Sequence, residues 1–328
     1  MTSRRPKLPR MPLSRSAYVR YPCRRVAVAL LVLTSISACE RRPADTRVDS
    51  AVQQQPATGN SIAQRRVASG WNEAAGPALL IQGPVRTEAI ALFATPDDSV
   101  AVAQLDSASL RQQSVTLVGR GGALLTALLG APSGDGSDEC ERWPLRTMQP
   151  DTVLTWAIGF VGARVRPIPL DSVDVLSPRD SMALAAEASR LASTVTLPTD
   201  AAFQGLRFTA HDIRRFVVAP GVQGLVAHLV RRVNQEANPR EEQTLLVAER
   251  DSGATSGAYQ LSYAERDFGR EEAVITSEVL AAVRLGASAS SVLVVARDND
   301  AGISYRMIER TGSRRWKARW SSGVISCS

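Results

Sequence analysis

The segment LLVAERD, Leu245 to Asp251, returns 47 positions later as VLVVARD, Val292 to Asp298. Each copy is followed by a glycine-bearing turn, SGATSG or NDAG. A second run then opens on a tyrosine, YQLSYAER from Tyr259 or YRMIER from Tyr305. Short apolar runs closed by charge and set apart by Gly, Asn and Asp read as strand, turn, strand. Two copies are too few for a solenoid, which needs about three. They are therefore expected as two similar hairpins in one antiparallel sheet system. The flanking segments extend that system. GLVAHLVRRVNQE suits a helix or a buried strand, but the turn ANPRE before EQTLLVAERD makes it the first strand of a hairpin. EEAVITSEVLAAVRLG fits both periods: Ile275, Val279, Ala282 and Val283 a helix, Val279, Ala281, Val283 and Leu285 a strand. In RRWKARW, Trp316, Ala318 and Trp320 alternate with Arg315, Lys317 and Arg319, as in a half-buried strand.

The first half is mixed. PALLIQ, EAIALFA, SVAVAQL and SVTLVG are β-prone runs bounded by Gly, Pro and Asp, and TWAIGFVGARVRPIPL adds one or two more. GAPSGDGSDE is a loop by composition. One helix is well specified: in SPRDSMALAAEASRLAS, Ser177 is the N-cap, Pro178 occupies N1 and Asp180 occupies N3. Its expected apolar face is Met182, Ala185, Ala186, Ser189 and Ala192 or Ser193. The fold class is thus α+β, predominantly antiparallel sheet with few helices, with a sandwich- or barrel-like meander in the C-terminal half. Residues 67–200 form a mixed first half, and the β-rich half 201–328 is expected to pack against it.

The N-terminus carries a different kind of information. Residues 1–25 hold eight basic side chains and no acid, and VAVALLVLTSISA, Val26 to Ala38, follows. A basic region, a short apolar core and small residues before a cut make a secretory signal. Thirteen helical residues span about 20 Å, short of a bilayer core of about 30 Å. Met11 is an alternative start, and neither Arg4–Arg5 nor Arg24–Arg25 carries the rest of a twin-arginine pattern. The run ends in ISAC, Ile36-Ser37-Ala38-Cys39, which resembles the lipobox of bacterial lipoproteins. The resemblance covers the signal region alone. It implies that residues 1–38 are removed, that the Cys39 thiol receives a diacylglycerol, and that the new amino group is acylated. Several acyl chains at about 0.8 kcal/mol per buried CH₂ make a durable anchor. Glu40 replaces the aspartate that typically retains such proteins at the inner membrane, which implies the outer membrane where there is one. Residues 39–66 then read as a lipid-attached polar tether.

Removing the signal changes the charge. The whole chain is formally +7, with 39 basic and 32 acidic residues, but the first 39 residues carry eight of the basic ones. The remainder has 31 basic against 32 acidic residues, a net of −1, which argues against nucleic acid as a partner. Of four cysteines, Cys23 goes with the signal and Cys39 with the lipid. Cys140 and Cys327 remain, and in an oxidising compartment they are expected to form a disulfide.

No catalytic, metal or cofactor constellation emerges. GRGG, Gly119 to Gly122, follows a strand-like run as a dinucleotide turn does, but Leu124 stands where a third small residue belongs, so a plain turn is expected. DNDAG, Asp298 to Gly302, with Glu309 at the twelfth position, has the beginning of a calcium loop. Ile303 occupies the glycine position, and an Asx-type turn accounts for the same residues. The acidic loop SGDGSDE is a second place a calcium ion would suit. The two histidines, His211 and His228, sit in no hydrolase motif, and His211 and Asp212 are expected on opposite strand faces. Trp316 and Trp320, with Arg315 and Arg319 beside them, are candidate contacts for a sugar, aromatic or anionic ligand; the alternative is that both indoles fill the core. The leading expectation is a lipid-anchored cell-envelope protein with a non-catalytic binding or structural role and a protein or glycan partner. The alternative is an exported hydrolase acting on envelope glycan through two carboxylates.

Overall fold

In the computed structural model, residues 70–93, 110–132, 141–147, 155–233, 238–253, 257–287 and 290–325 are described. Cys39, Cys140, Cys327, the signal, the tether, SVAVAQL and SGDGSDE lie outside them. Six short strands open the fold: β1 (Ala78–Gln82), β2 (Glu88–Phe93), β3 (Ser114–Val118), β4 (Leu124–Leu129), β5 (Arg142–Thr147) and β6 (Ile158–Val161). They close into a barrel in the order β1-β2-β5-β4-β3-β6, with β6 pairing back onto β1. Its interior is filled by Leu80, Val115, Leu117, Leu129, Leu145 and the fully buried Trp143, with Ala78, Ala89 and Ala127 making room for the indole. Trp156 adds to this core and donates its Nε1–H to the Arg86 carbonyl at 3.0 Å. Leu79, Ile81, Ile90, Phe160 and Ile158 face outward yet are also buried, which is why β1 and β6 read as unbroken apolar runs.

What covers them is a sandwich. After the barrel come β7 (Val165–Ile168), β8 (Asp171–Ser172), the α-helix α1 (Pro178–Ser193) and, among the described residues, eight longer strands. These are β9 (Thr209–Ala219), β10 (Val222–Val233), β11 (Arg240–Asp251), β12 (Gln260–Arg270), β13 (Thr276–Leu285), β14 (Ser290–Asn299), β15 (Gly302–Gly312) and β16 (Arg315–Ser321). One sheet has the order β12-β11-β10-β9-β8, the other β16-β15-β14-β13-β7. Each is an antiparallel meander, with β7 added to the second. The chain passes from one sheet to the other at Pro169 and Leu170, and again at residues 271–275. Phe216, Val226, Leu245 and Val247 from the first sheet meet Val279, Leu293, Val295 and Ile308 from the second.

This is the β-rich antiparallel architecture with few helices that the sequence leads one to expect, and all of it belongs to one compact unit. The two matching hairpins are not neighbours in one sheet. β11–β12 lies in the first sheet and β14–β15 in the second. Their faces correspond by stacking. Leu246 faces α1 while its counterpart Leu293 faces the first sheet; Leu245 faces the second sheet while Val292 faces the barrel. Helix, sheet, sheet and barrel therefore form successive layers.

The helix starts as expected. Ser177 accepts from the Asp180 N–H at 3.2 Å, and Pro178 stands at N1. Its buried face differs from the expected one. Ala188, Leu191 and Ala192, with Leu184 and Ala185, pack on the first sheet, while Met182 is 67% exposed. The two leucines, seven apart, set the rotation of the helix, and the alanines on either side are too small to compete.

β16 also departs from strict alternation. Met307 pairs with Trp320 and Ile308 with Ala318, so Arg319 is an extra residue opposite β15. A bulge of this kind turns the following side chain to the other face. Trp316 enters the sandwich and meets Phe216 edge-on at 6.1 Å. Trp320 faces the barrel and meets Trp71 edge-on at 4.8 Å. At this place the first described residues lie on the last strand: a Cβ on Gly70 would fall 1.6 Å from the Arg319 carbonyl oxygen.

Candidate functional site at the polar ends of the sandwich

Period two along EEQTLLVAERD puts Glu241, Gln243, Leu245, Val247 and Glu249 on the sandwich-facing side of β11. The middle of that row is apolar and both ends are polar. The facing sheet answers with arginine.

At one end Glu249, only 1% exposed, accepts four hydrogen bonds. Arg310 donates from Nε and Nη2 at 2.8 and 2.9 Å, Trp316 from Nε1 at 2.6 Å and the Arg314 backbone at 3.1 Å. Burial pushes its pKa up, but the donors from Arg310, Trp316 and Arg314 outweigh burial and hold it below the ordinary carboxylate value.

At the other end His228, Gln243, Glu265, Asp267, Ser277 and Arg297 line a small pocket with room for little more than a water molecule. Tyr263 donates its hydroxyl to Glu265 Oε2 at 2.9 Å, and Arg306 donates to the same oxygen. Ser277 donates to Glu265 Oε1 at 3.1 Å, with Arg297 Nε 3.6 Å away. Burial and the Glu265 charge push the Tyr263 pKa up, so its hydroxyl stays a donor. Asp267 accepts the Ile275 N–H at 2.7 Å. Gln243 donates from Nε2 to Glu241 Oε2 at 2.6 Å, and Glu241 also pairs with Arg232. Because a carboxylate only accepts, this fixes the Gln243 amide. Its oxygen must face His228 Nε2, which therefore carries the hydrogen. His228 is 7% exposed, and burial lowers its pKa below the usual histidine value, with the neighbouring His211 adding to the shift. The two imidazoles lie 5.5 Å apart because a register shift opposite His228 and Leu229 brings His211 alongside.

A third buried acid faces α1. Glu242 is fully buried and takes Arg231 through both oxygens, at 2.8 and 3.0 Å, with Arg266 Nε at 3.2 Å and the Thr199 hydroxyl. Arg231 lies 4.6 Å from the Phe208 ring centroid, and Arg266 donates to the Ala192 and Leu197 carbonyls at the end of α1. This acid ties the helix to its sheet.

Several candidate residues are now placed. Trp316 and Trp320 are 4% and 5% exposed and separated by the sheet, so neither presents a ring face to a ligand; the indoles fill the core instead. Arg315 and Arg319 are exposed, and Arg319 Nε lies 3.5 Å from Glu309. GRGG is the β3–β4 turn, closed by Gly122 N–H to the Gly119 carbonyl at 2.9 Å. DNDAG is the β14–β15 turn, where the Asn299 side chain accepts from Ala301 N–H at 3.1 Å. Glu309 lies along β15, bonded to the Ser290 hydroxyl at 3.0 Å. Among the described residues no cluster of His, Cys, Asp and Glu has the arrangement of a metal site. The buried acids Glu241, Glu242 and Glu249 and the half-buried Glu265 were not singled out from sequence. A signal exists for two of them: Glu241 and Glu249 fall on the same alternating face of EEQTLLVAERD as Leu245 and Val247. Compared with protein-family models, curated proteins and solved structures, the chain matches none of them.

Proposed function

We propose that this chain is an exported lipoprotein, anchored through Cys39, whose folded region serves the cell envelope as a non-catalytic binding or structural module. The observation that carries the anchor is ISAC at the end of a basic, apolar segment too short to span a bilayer. Support for a non-catalytic role comes from how the buried acids are used. Glu249 and Glu265 are held by arginines of the facing sheet, and Glu242 by arginines of its own sheet beneath α1. A glycan hydrolase needs two carboxylates facing each other across an open cleft. Glu265 and Asp267 instead stand side by side on β12, both already bonded. The tether of about 30 residues has a root-mean-square reach of about 30 Å if it behaves as a flexible coil, so the folded region can meet partners clear of the lipid headgroups. Metabolic labelling with a palmitate analogue tests the anchor. Wild type should be labelled and recovered with membranes; Cys39→Ser should be unlabelled. Equal labelling of the two would refute it.

The same compartment supports a Cys140–Cys327 bridge, which would close a loop of about 190 residues and tie the C-terminus back to the barrel. Such a bridge contributes about 2–4 kcal/mol. In unreduced envelope fractions, alkylation followed by mass spectrometry should leave both thiols unmodified. Modification of both would show that the bridge does not form.

A further inference from the structure

We propose that His228 is an acid-operated latch, holding the crossover 271–275 closed over one end of the sandwich when neutral and releasing it when protonated. The geometry that points to this is the set of partners around the imidazole. Nε2–H is committed to Gln243, whose amide is fixed by Glu241. A second proton goes onto Nδ1, and the resulting imidazolium needs a counter-charge. From β9, Asp212 is engaged by Arg214 at 2.9 Å, and His211 brings a second titratable ring. From β10 and β11, Arg232 and Glu241 neutralise each other. From β12, Glu265 is held by Arg306 of β15, with Arg297 of β14 beside it. Arg266 turns to Glu242 on the opposite face. β13 contributes the uncharged Ser277.

Only Asp267 differs. Its partner is a neutral backbone donor, the Ile275 N–H, and it lines the same pocket as His228. Among the described residues around the ring it is the one carboxylate that can turn to the imidazolium without abandoning an arginine. Turning costs the crossover its anchor, because Ile275 is the residue that Asp267 holds. Burial and His211 both lower the His228 pKa, whereas Asp212 and Gln243 favour the charged ring less strongly. The sign follows. The folded state binds this proton less readily than the unfolded state. The latch is therefore at full strength above the ordinary histidine pKa of about 6.5 and weakens as pH falls below it.

The chain holds only two histidines, so both C2–H resonances can be followed in the full-length protein while hydrogen exchange at Ile275 is measured from pH 7.5 to 5.0. The His228 signal should titrate below the ordinary histidine pKa of about 6.5. Ile275 protection, corrected for intrinsic exchange, should fall between about pH 6.5 and the His228 midpoint, by at most about tenfold per pH unit for one proton. In His228→Gln the protection should be flat across the range. In His211→Gln the His228 midpoint should rise. Ile275 protection that stays constant in wild type, or falls equally in His228→Gln, would overturn the latch. Should His228→Gln fail to fold, wild type alone decides: protection that declines from about pH 6.5 and levels off at the His228 midpoint supports the latch, and protection that stays constant down to that midpoint overturns it.

Discussion

Glu249→Ala is expected to cost about 3–5 kcal/mol, because it leaves the Arg310 guanidinium and the Trp316 N–H facing a vacated, dry site. The loss reflects uncompensated charge rather than the intrinsic worth of the pair. Glu249→Leu combined with Arg310→Met should therefore recover the part owed to the unpaired guanidinium, since a buried ion pair exchanged for packed apolar groups is often neutral, but not the part owed to the Trp316 and Arg314 N–H groups, which stay without an acceptor. Urea unfolding of the three proteins gives the comparison. A single mutant within 1 kcal/mol of wild type would mean that water reaches Arg310 freely. The carboxylate also predicts a pH dependence of definite sign. Its folded pKa is depressed, so its contribution is full above the ordinary carboxylate pKa of about 4.3. That contribution is lost as pH falls from there through the folded value.

The second large effect belongs to the barrel. Trp143 is wholly buried, pairs with Ala89 across the β2–β5 ladder, and is surrounded by Leu80, Leu117, Leu129 and Leu145. A closed ring of six strands cannot collapse far into the space an indole leaves. Trp143→Ala should therefore fall at the severe end for core truncations, about 3–5 kcal/mol, with Trp143→Phe losing distinctly less. The barrel's outer face is the floor of the sandwich through Leu79, Ile81 and Phe160 against Val283, Val292 and Met307. The damage should therefore spread, and protection from hydrogen exchange should drop in β13 and β14 as well as in β1 and β6. Damage confined to the barrel strands would show the two to be energetically separate.

How much of this was legible beforehand depends on the range of the interaction. Six of the eight long strands of the sandwich announce themselves locally, by apolar runs and turn residues, whereas β13 fits both periods and β9 was not singled out; the Ser177 cap is written in four consecutive residues. Barrel closure is not local. β6 returns to β1 across most of the first half, and nothing in PALLIQ names WAIGFV as its partner. The assignment of two like hairpins to different sheets is equally non-local. Trp320 shows a subtler limit. One extra residue at Arg319 reverses its face, and a bulge leaves no compositional mark. The polar ends of the sandwich were half-visible, as acids on an apolar face, but their arginine partners come from strands some 40 to 65 residues away.

The seam between Trp71 and Trp320 sets an order of events during synthesis. The barrel strands are all made by Val161 and can pair as soon as they emerge. Trp71, among the first residues of the folded region, must wait for one of the last, and contacts of such sequence separation form late. Until β16 is made, the outer face of β1 lacks the indole that completes its cover, so an incomplete chain exposes an apolar surface that the finished chain hides. Cover of the N-terminal entry therefore waits for β16.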